Sequence, residues 1–293
     1  MLREICFQLD KGTADALNGR MESVLADLAA HGIRVSGLRG CEKCIVDAHE
    51  KRCGDSTAGA DQEKTIYIAD QVQVYTALKE KGCYVLPYLH DHNRGTSFPG
   101  ALYAVEKLEE MDEESFELAY RRLAGLPWKI LNTERCIVRE TTVEDVDSFY
   151  RIYAEPSITA YTENLFADRD EEIAYTKDYI EKVYAFYGYG MWTVLERQSG
   201  EVIGRAGISW REGYNLPELG FVFGVPWQGR GYAYEVCGAI LAYARDELLM
   251  ERVQALVQPG NERSLQLCER LGFVLAGETV LDRQRHVLLV KKL

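Results

Sequence analysis

The sequence has no apolar run approaching the roughly twenty residues a helix needs to cross a bilayer, so no membrane partner is expected. Its opening residues, MLREICFQLDKGTADAL, show neither the apolar core nor the cleavage site of a secretory signal, which points to a cytoplasmic protein. Positive charge is in short supply. Thirty-four Lys and Arg stand against 46 Asp and Glu, a net charge of −12. Phosphate polymers would be repelled by such a surface, so non-specific nucleic-acid binding is excluded from the expected functions. There is no Gly-Lys-Ser/Thr phosphate loop, no internal repeat and no low-complexity tract. What is present is an ordinary globular composition, 47% hydrophobic and 27% charged. At 293 residues, two domains are the expectation.

Eight cysteines are scattered along the chain, and free thiols are the default reading without an export signal. One cluster, CEKCIVDAHEKRC, gives Cys41, Cys44, His49 and Cys53, a set that would suit zinc. Its last spacer is one residue shorter than in a zinc knuckle, and the knuckle's glycines are missing. Small apolar residues on a charged helix is the preferred reading, and no metal site is assigned.

Patterning divides the chain. In the first half, short apolar strands at 4–8, 33–38, 65–70 and 83–89 alternate with helical periodicity over 13–31 and 71–82, and a last helix covers 113–126. Strand, helix and strand in so short a space predict a Rossmann-like parallel α/β domain. The segment 127–135 is the expected boundary. A new pattern follows: a strand at 136–140, a helix over 142–154 opened by a Thr142/Asp145 capping box, and a helix over 169–187. Next come a hairpin turning at 198–200, strands at 217–224 and 253–259, helices at 232–249 and 261–273, and two final strands.

One stretch carries chemistry. WQGRGYAYEV, residues 227–236, places two glycines directly between an apolar strand and a long amphipathic helix. Glycines let successive amides converge, and the helix N-terminus adds unsatisfied donors and partial positive charge. The arrangement predicts a pyrophosphate cradle formed by Gln228, Gly229, Arg230, Gly231, Tyr232 and Ala233. A dinucleotide fingerprint would need a third glycine where Tyr234 stands.

The stretch resembles the Gln/Arg-x-x-Gly-x-Gly/Ala motif of the GNAT superfamily of acyl-CoA-dependent N-acyltransferases, through Gln228, Gly231 and Ala233. PELGFVFG before it, NERSLQLCERLGF after it and the order of elements agree over about residues 134–280, in the style of the ribosomal-protein N-terminal acetyltransferase branch. The resemblance implies an α+β fold with a mixed, mainly antiparallel central sheet, and acetyl-CoA as the acyl donor. It implies that backbone groups at Phe221, Val222 and Phe223 meet the pantetheine arm, with Asn261 and Ser264 beside them. The expected partner is an amine, either a small molecule or a protein N-terminus; a homodimer is kept open.

A lysine-type amine, with a pKa of about 10.4, is mostly protonated near neutrality, so the site must remove a proton. Glu218, on the strand flanking the thioester, is the candidate base. Alternation sets it on the opposite face from Leu219, Phe221 and Phe223. The resemblance implies that Cys268, a weak donor, stands in the place of the family's thiolate-protonating tyrosine; Cys268 as the acid, another tyrosine, and departure of the thiolate without an acid are all held. Tyr161, Glu163, Tyr189 and Trp192 are candidates for the amine mouth.

The first half resembles a degenerate haloacid-dehalogenase-like domain. CFQLDKGTADAL keeps Asp10, Gly12 and Thr13, but Gln8 stands in the place of the nucleophilic aspartate, and an amide cannot form an aspartyl phosphate. The resulting expectation is an inactive α/β domain over residues 1–131 and a GNAT domain over 132–293. Two alternatives are held: a non-catalytic acyl-CoA sensor, and a hydrolase centred on the first half.

Overall fold

A computed structural model describes residues 1–38, 64–281 and 283–293. The Cys41, Cys44, His49 and Cys53 cluster lies outside these residues. The chain forms two compact units, Met1–Leu126 and Pro127–Leu293. Among the described residues no helix is long and apolar enough to cross a membrane.

The first unit is a parallel four-stranded sheet in the order β2-β1-β3-β4, from β1 (Glu4–Gln8), β2 (Arg34–Ser36), β3 (Thr65–Ala69) and β4 (Tyr84–Pro87). The central strand β3 is buried at every position, as its apolar run TIYIA dictates for a strand covered on both faces. The helical pattern predicted over 13–31 is two helices, α1 (Lys11–Leu17) and α2 (Glu22–Ala30). Gly19, at φ +94°, turns the chain between them, a conformation that ends an α-helix. Helices α3 (Val72–Glu80) and α4 (Glu113–Leu123) follow.

The second unit is built on an eight-stranded sheet, β5 (Lys129–Asn132), β6 (Cys136–Arg139), β7 (Met191–Glu196), β8 (Val202–Ser209), β9 (Glu218–Phe223), β10 (Arg252–Val257), β11 (Val274–Leu281) and β12 (Gln284–Lys292). Its order is β11-β12-β10-β9-β8-β7-β6-β5. Every pairing is antiparallel except β9 with β10. Residues 129–132, within the segment expected to mark the domain boundary, are an edge strand paired with β6.

Helices α5 (Val146–Tyr153) and α6 (Arg169–Tyr179) precede β7. The capping box forms, Thr142 and Asp145 each binding the other's backbone. After α6 the chain widens into a π-helical turn over Ile180–Tyr184 rather than running on as one helix. Helix α7 (Tyr232–Asp246) buries Val236, Cys237, Ile240, Leu241 and Ala244 in the core, and each large aliphatic so buried contributes about 1.5–3 kcal/mol. Helix α8 (Glu262–Arg270) completes the unit.

Candidate active site

The site begins with a sheet that comes apart. Strands β9 and β10 run parallel and pair at one position only, Glu218 with Gln254, where the Gln254 amide donates to Pro217 O at 2.8 Å. Beyond that bridge the two strands diverge. Their facing edges are left without partners, and a cavity of about 710 Å³ opens there.

Register decides which side chains line it. Antiparallel pairing sets Glu218 opposite Ser209, Gly220 opposite Gly207 and Val222 opposite Arg205, with Met191 opposite Gly207 and Thr193 opposite Arg205. Directly paired residues share a face. Glu218, Gly220, Val222, Arg205, Ser209 and Met191 accordingly line the cavity. Gly220 leaves room at the cavity for Met191, whose Sδ would lie 2.9 Å from a Cβ there, and Gly207 lets the Gly190 backbone approach, its O falling 2.0 Å from where a Cβ would sit.

The same alternation corrects one sequence expectation. Trp192 pairs with Ala206 on the opposite face, is fully buried and packs edge-on against Tyr243, so it cannot frame the amine. Tyr189 is also outside the cavity lining; its hydroxyl accepts from Trp210 Nε1. Tyr161 and Glu163 do line it. Cys268 is buried in the core, away from the cavity, and burial pushes its thiol up to about 12. It therefore cannot reach a leaving group in the cavity, which corrects its assignment. Tyr153 and Tyr179 do line the cavity, and burial holds both phenols above their ordinary value.

Glu218 is buried at the cavity wall, and its Oε2 accepts from Arg211 Nε at 2.6 Å. The Arg211 guanidinium also pairs with Glu163 at 3.1 Å. Glu218, the expected base, and Glu163, expected at the amine mouth, are thereby tied through one arginine that the sequence reading passed over. Asn261 and Ser264 line the cavity, and Asn261 Oδ1 caps α8 by accepting from the Ser264 amide at 3.2 Å. Phe221 and Val222 line the cavity, but Phe223 is buried and its carbonyl accepts from Gln228 Nε2 at 2.8 Å.

That last bond anchors the glycine loop. Gln228 spans from Phe223 to Arg263, whose Nη1 donates to Gln228 Oε1 at 2.8 Å. Gly231 is the N-cap of α7 at φ +85°, with no side chain capping the helix. Among the described residues, no protein acceptor is found for any of the six amides from Gly229 to Tyr234; the first amide with one is Glu235, bonded to Gly231 O. Arg230 lies over Trp227 and Tyr232, and Arg135, stacked 4.2 Å from the Tyr232 ring, donates to Arg230 O. Six free donors beside arginines, in a chain of net charge −12, suit a polyanion.

Comparison with known proteins agrees with this geometry. Residues 135–274 match the family described as acetyltransferase (GNAT) domain. The uncharacterized N-acetyltransferase p20 of Bacillus licheniformis is 27% identical over 151 residues, 50% of this chain and 83% of that protein. The [ribosomal protein uS5]-alanine N-acetyltransferase of Escherichia coli (strain K12) is 35% identical over 95 residues, 32% of this chain and 47% of that one. The apo structure of a ribosomal L7/L12 alpha-N-protein acetyltransferase is similar in fold, with a TM-score of 0.50 at 14% identity over 57% of this chain and 96% of that one.

Proposed function

We propose, from the match of residues 135–274 to the acetyltransferase (GNAT) domain family, that the protein is an acetyl-CoA-dependent N-acetyltransferase acting on a primary amine, whether a small molecule or a protein N-terminus. The observation that carries the reading is the row of six unspent amides at the start of α7.

The residues fit the coenzyme. The amides from Gly229 to Tyr234 would hold its diphosphate, a task for which converging N–H groups and a helix N-terminus are well suited. The free edge of β9 at Phe221 and Val222, with Asn261 and Ser264 facing it, offers amide-like partners to a pantetheine arm. When bound, the coenzyme supplies the activated acetyl group. The chain's own residues do the rest. The cavity between β9 and β10 aligns the amine and keeps bulk water off it. Glu218, at its wall, takes the amine's proton directly or through one water, with Arg211 holding its Oε2 in place. Tyr153, or Tyr179, is the group placed to return a proton to the departing sulfur.

The first unit is read as a degenerate haloacid-dehalogenase-like domain without phosphatase chemistry. At the expected nucleophile position Gln8 is buried, its amide turned toward Cys6 Sγ at 3.1 Å.

Two measurements test the reading. Calorimetry with acetyl-CoA should show binding, and thiol release over a panel of amines should show turnover. Glu218→Gln should lower kcat by about 10²–10⁴-fold, the contribution of a general base, while acetyl-CoA binding stays intact. Binding without thiol release for any amine would favour an acyl-CoA sensor instead, and no heat with acetyl-CoA on folded protein would remove the proposal.

A further inference from the structure

Two arginines line the cavity, and they are treated differently. Arg211 is neutralised twice, by Glu218 and Glu163. Arg205, six residues earlier and within β8, forms no ion pair among the described residues. Its Nε is shut away from solvent with no hydrogen-bond partner. Its neighbours are neutral: the guanidinium stacks 4.6 Å from the Phe149 ring, bonds Tyr153 and is surrounded by the phenols of Tyr175, Tyr179 and Tyr184. The remaining cavity carboxylate, Glu172, is buried and spends its Oε2 on the Phe166 amide at 3.0 Å.

A guanidinium cannot discharge itself by losing a proton, and burying one without a counter-charge is costly. Aromatic stacking offsets part of that cost. A planar fork with a free Nε–H is also the geometry that carboxylates bind with two parallel hydrogen bonds. Strand rise separates the Cα atoms of Arg205 and Ser209 by ~13 Å, and Glu218 faces Ser209. The cavity is therefore polarised along β8, with carboxylates at the Glu218 end and an unbalanced cation at the Arg205 end.

Resting on the transferase reading above, we propose that the acceptor is an amine that also carries a carboxylate: its amine seats at Glu218 and Glu163, and its carboxylate pairs with Arg205. Such a group could belong to a free amino acid or to an acidic side chain beside a peptide N-terminus, and two arms of one experiment separate these sources.

Thiol release is measured for ε-aminocaproate against hexylamine and for Ala-Glu-Ala against Ala-Gln-Ala. At least a tenfold higher kcat/KM for the acid member of either pair, carried by KM, is expected in the wild type. Preference confined to the first pair identifies a small acid; preference confined to the second identifies a peptide. Arg205→Gln should erase the preference, and Arg205→Lys should keep part of it, while both variants still bind acetyl-CoA by calorimetry. Equal use of the paired amines by the wild type, or a preference that survives Arg205→Gln, overturns the proposal. If no amine is turned over, calorimetry with glutarate decides: binding lost in Arg205→Gln retains the anion site and removes only the transferase reading, whereas no binding to the wild type removes the anion site.

Discussion

The two units end their parallel strands in opposite ways. In the first, the C-terminal ends of β1, β3 and β4 are knitted shut. Asp70, almost fully buried, accepts twice from the Asp10 amide and lies 3.5 Å from His90 Nε2. Asn93 donates to the carbonyls of both Asp70 and Tyr88. Carboxylates and amides there are spent on the protein's own backbone. In the second unit the parallel pair β9 and β10 keeps a single bridge, and the six amides from Gly229 to Tyr234 have no protein acceptor among the described residues. The first unit spends the polar groups at its strand ends on its own backbone, whereas the amides leading into α7 stand ready for an outside acceptor, as helix N-termini do.

Four substitutions would break or sharpen that contrast, the largest first. Trp192→Ala, at the fully buried back of the open sheet, should cost about 3–5 kcal/mol of stability through cavity formation, read by urea unfolding of the second unit. Asp70→Ala should cost the first unit about 1–3 kcal/mol, because the Asp10 amide loses its acceptor. Acetyl-CoA binding should be unchanged, and a loss of that binding would mean that the knitted end has a role at the coenzyme site.

Gly231→Val places a β-branched residue at φ +85° and should cost roughly 1–3 kcal/mol in backbone strain. Calorimetry should show weakened acetyl-CoA binding with little change in the unfolding of the first unit. The smallest effect is expected of Cys268→Ala, which should leave kcat within about twofold, because a thiol in the core delivers no proton to the cavity. The raised Cys268 pKa also gives a sign. Its contribution to stability is full below pH 9 and is lost as pH rises toward about 12. Unfolding of the wild type and of Cys268→Ala should therefore converge over that alkaline range.

Much of this was legible in the sequence because periodicity and glycine placement are local signals. The apolar positions of α7, the capping box at Thr142 and the glycine loop all announce themselves within a few residues. What was missed depends on pairing. Trp192 belongs with the aromatic cluster YAFYGYGMW by composition, but its face is fixed by Ala206 across the strand pair. Strict alternation from Thr193 would have placed it correctly. Residues 129–132 read only as a boundary until β6 is beside them. Arg205 did leave a signal, a lone charge inside VIGRAGIS, but its importance depends on which carboxylates stay away from it, and no sequence pattern encodes that.

The π-helical turn at Ile180–Tyr184 brings two phenols to one residue: the Met191 amide donates to Tyr179, and Tyr184 donates to the Met191 carbonyl while accepting from the Thr141 amide. A turn of this kind holds one residue more than its neighbours. Deleting that residue would restore a regular helix and swing everything after it by about 100°, leaving at most one of the two hydroxyls able to hold the start of β7. The floor of the cavity is in this sense set by a counting irregularity in the helix that precedes it.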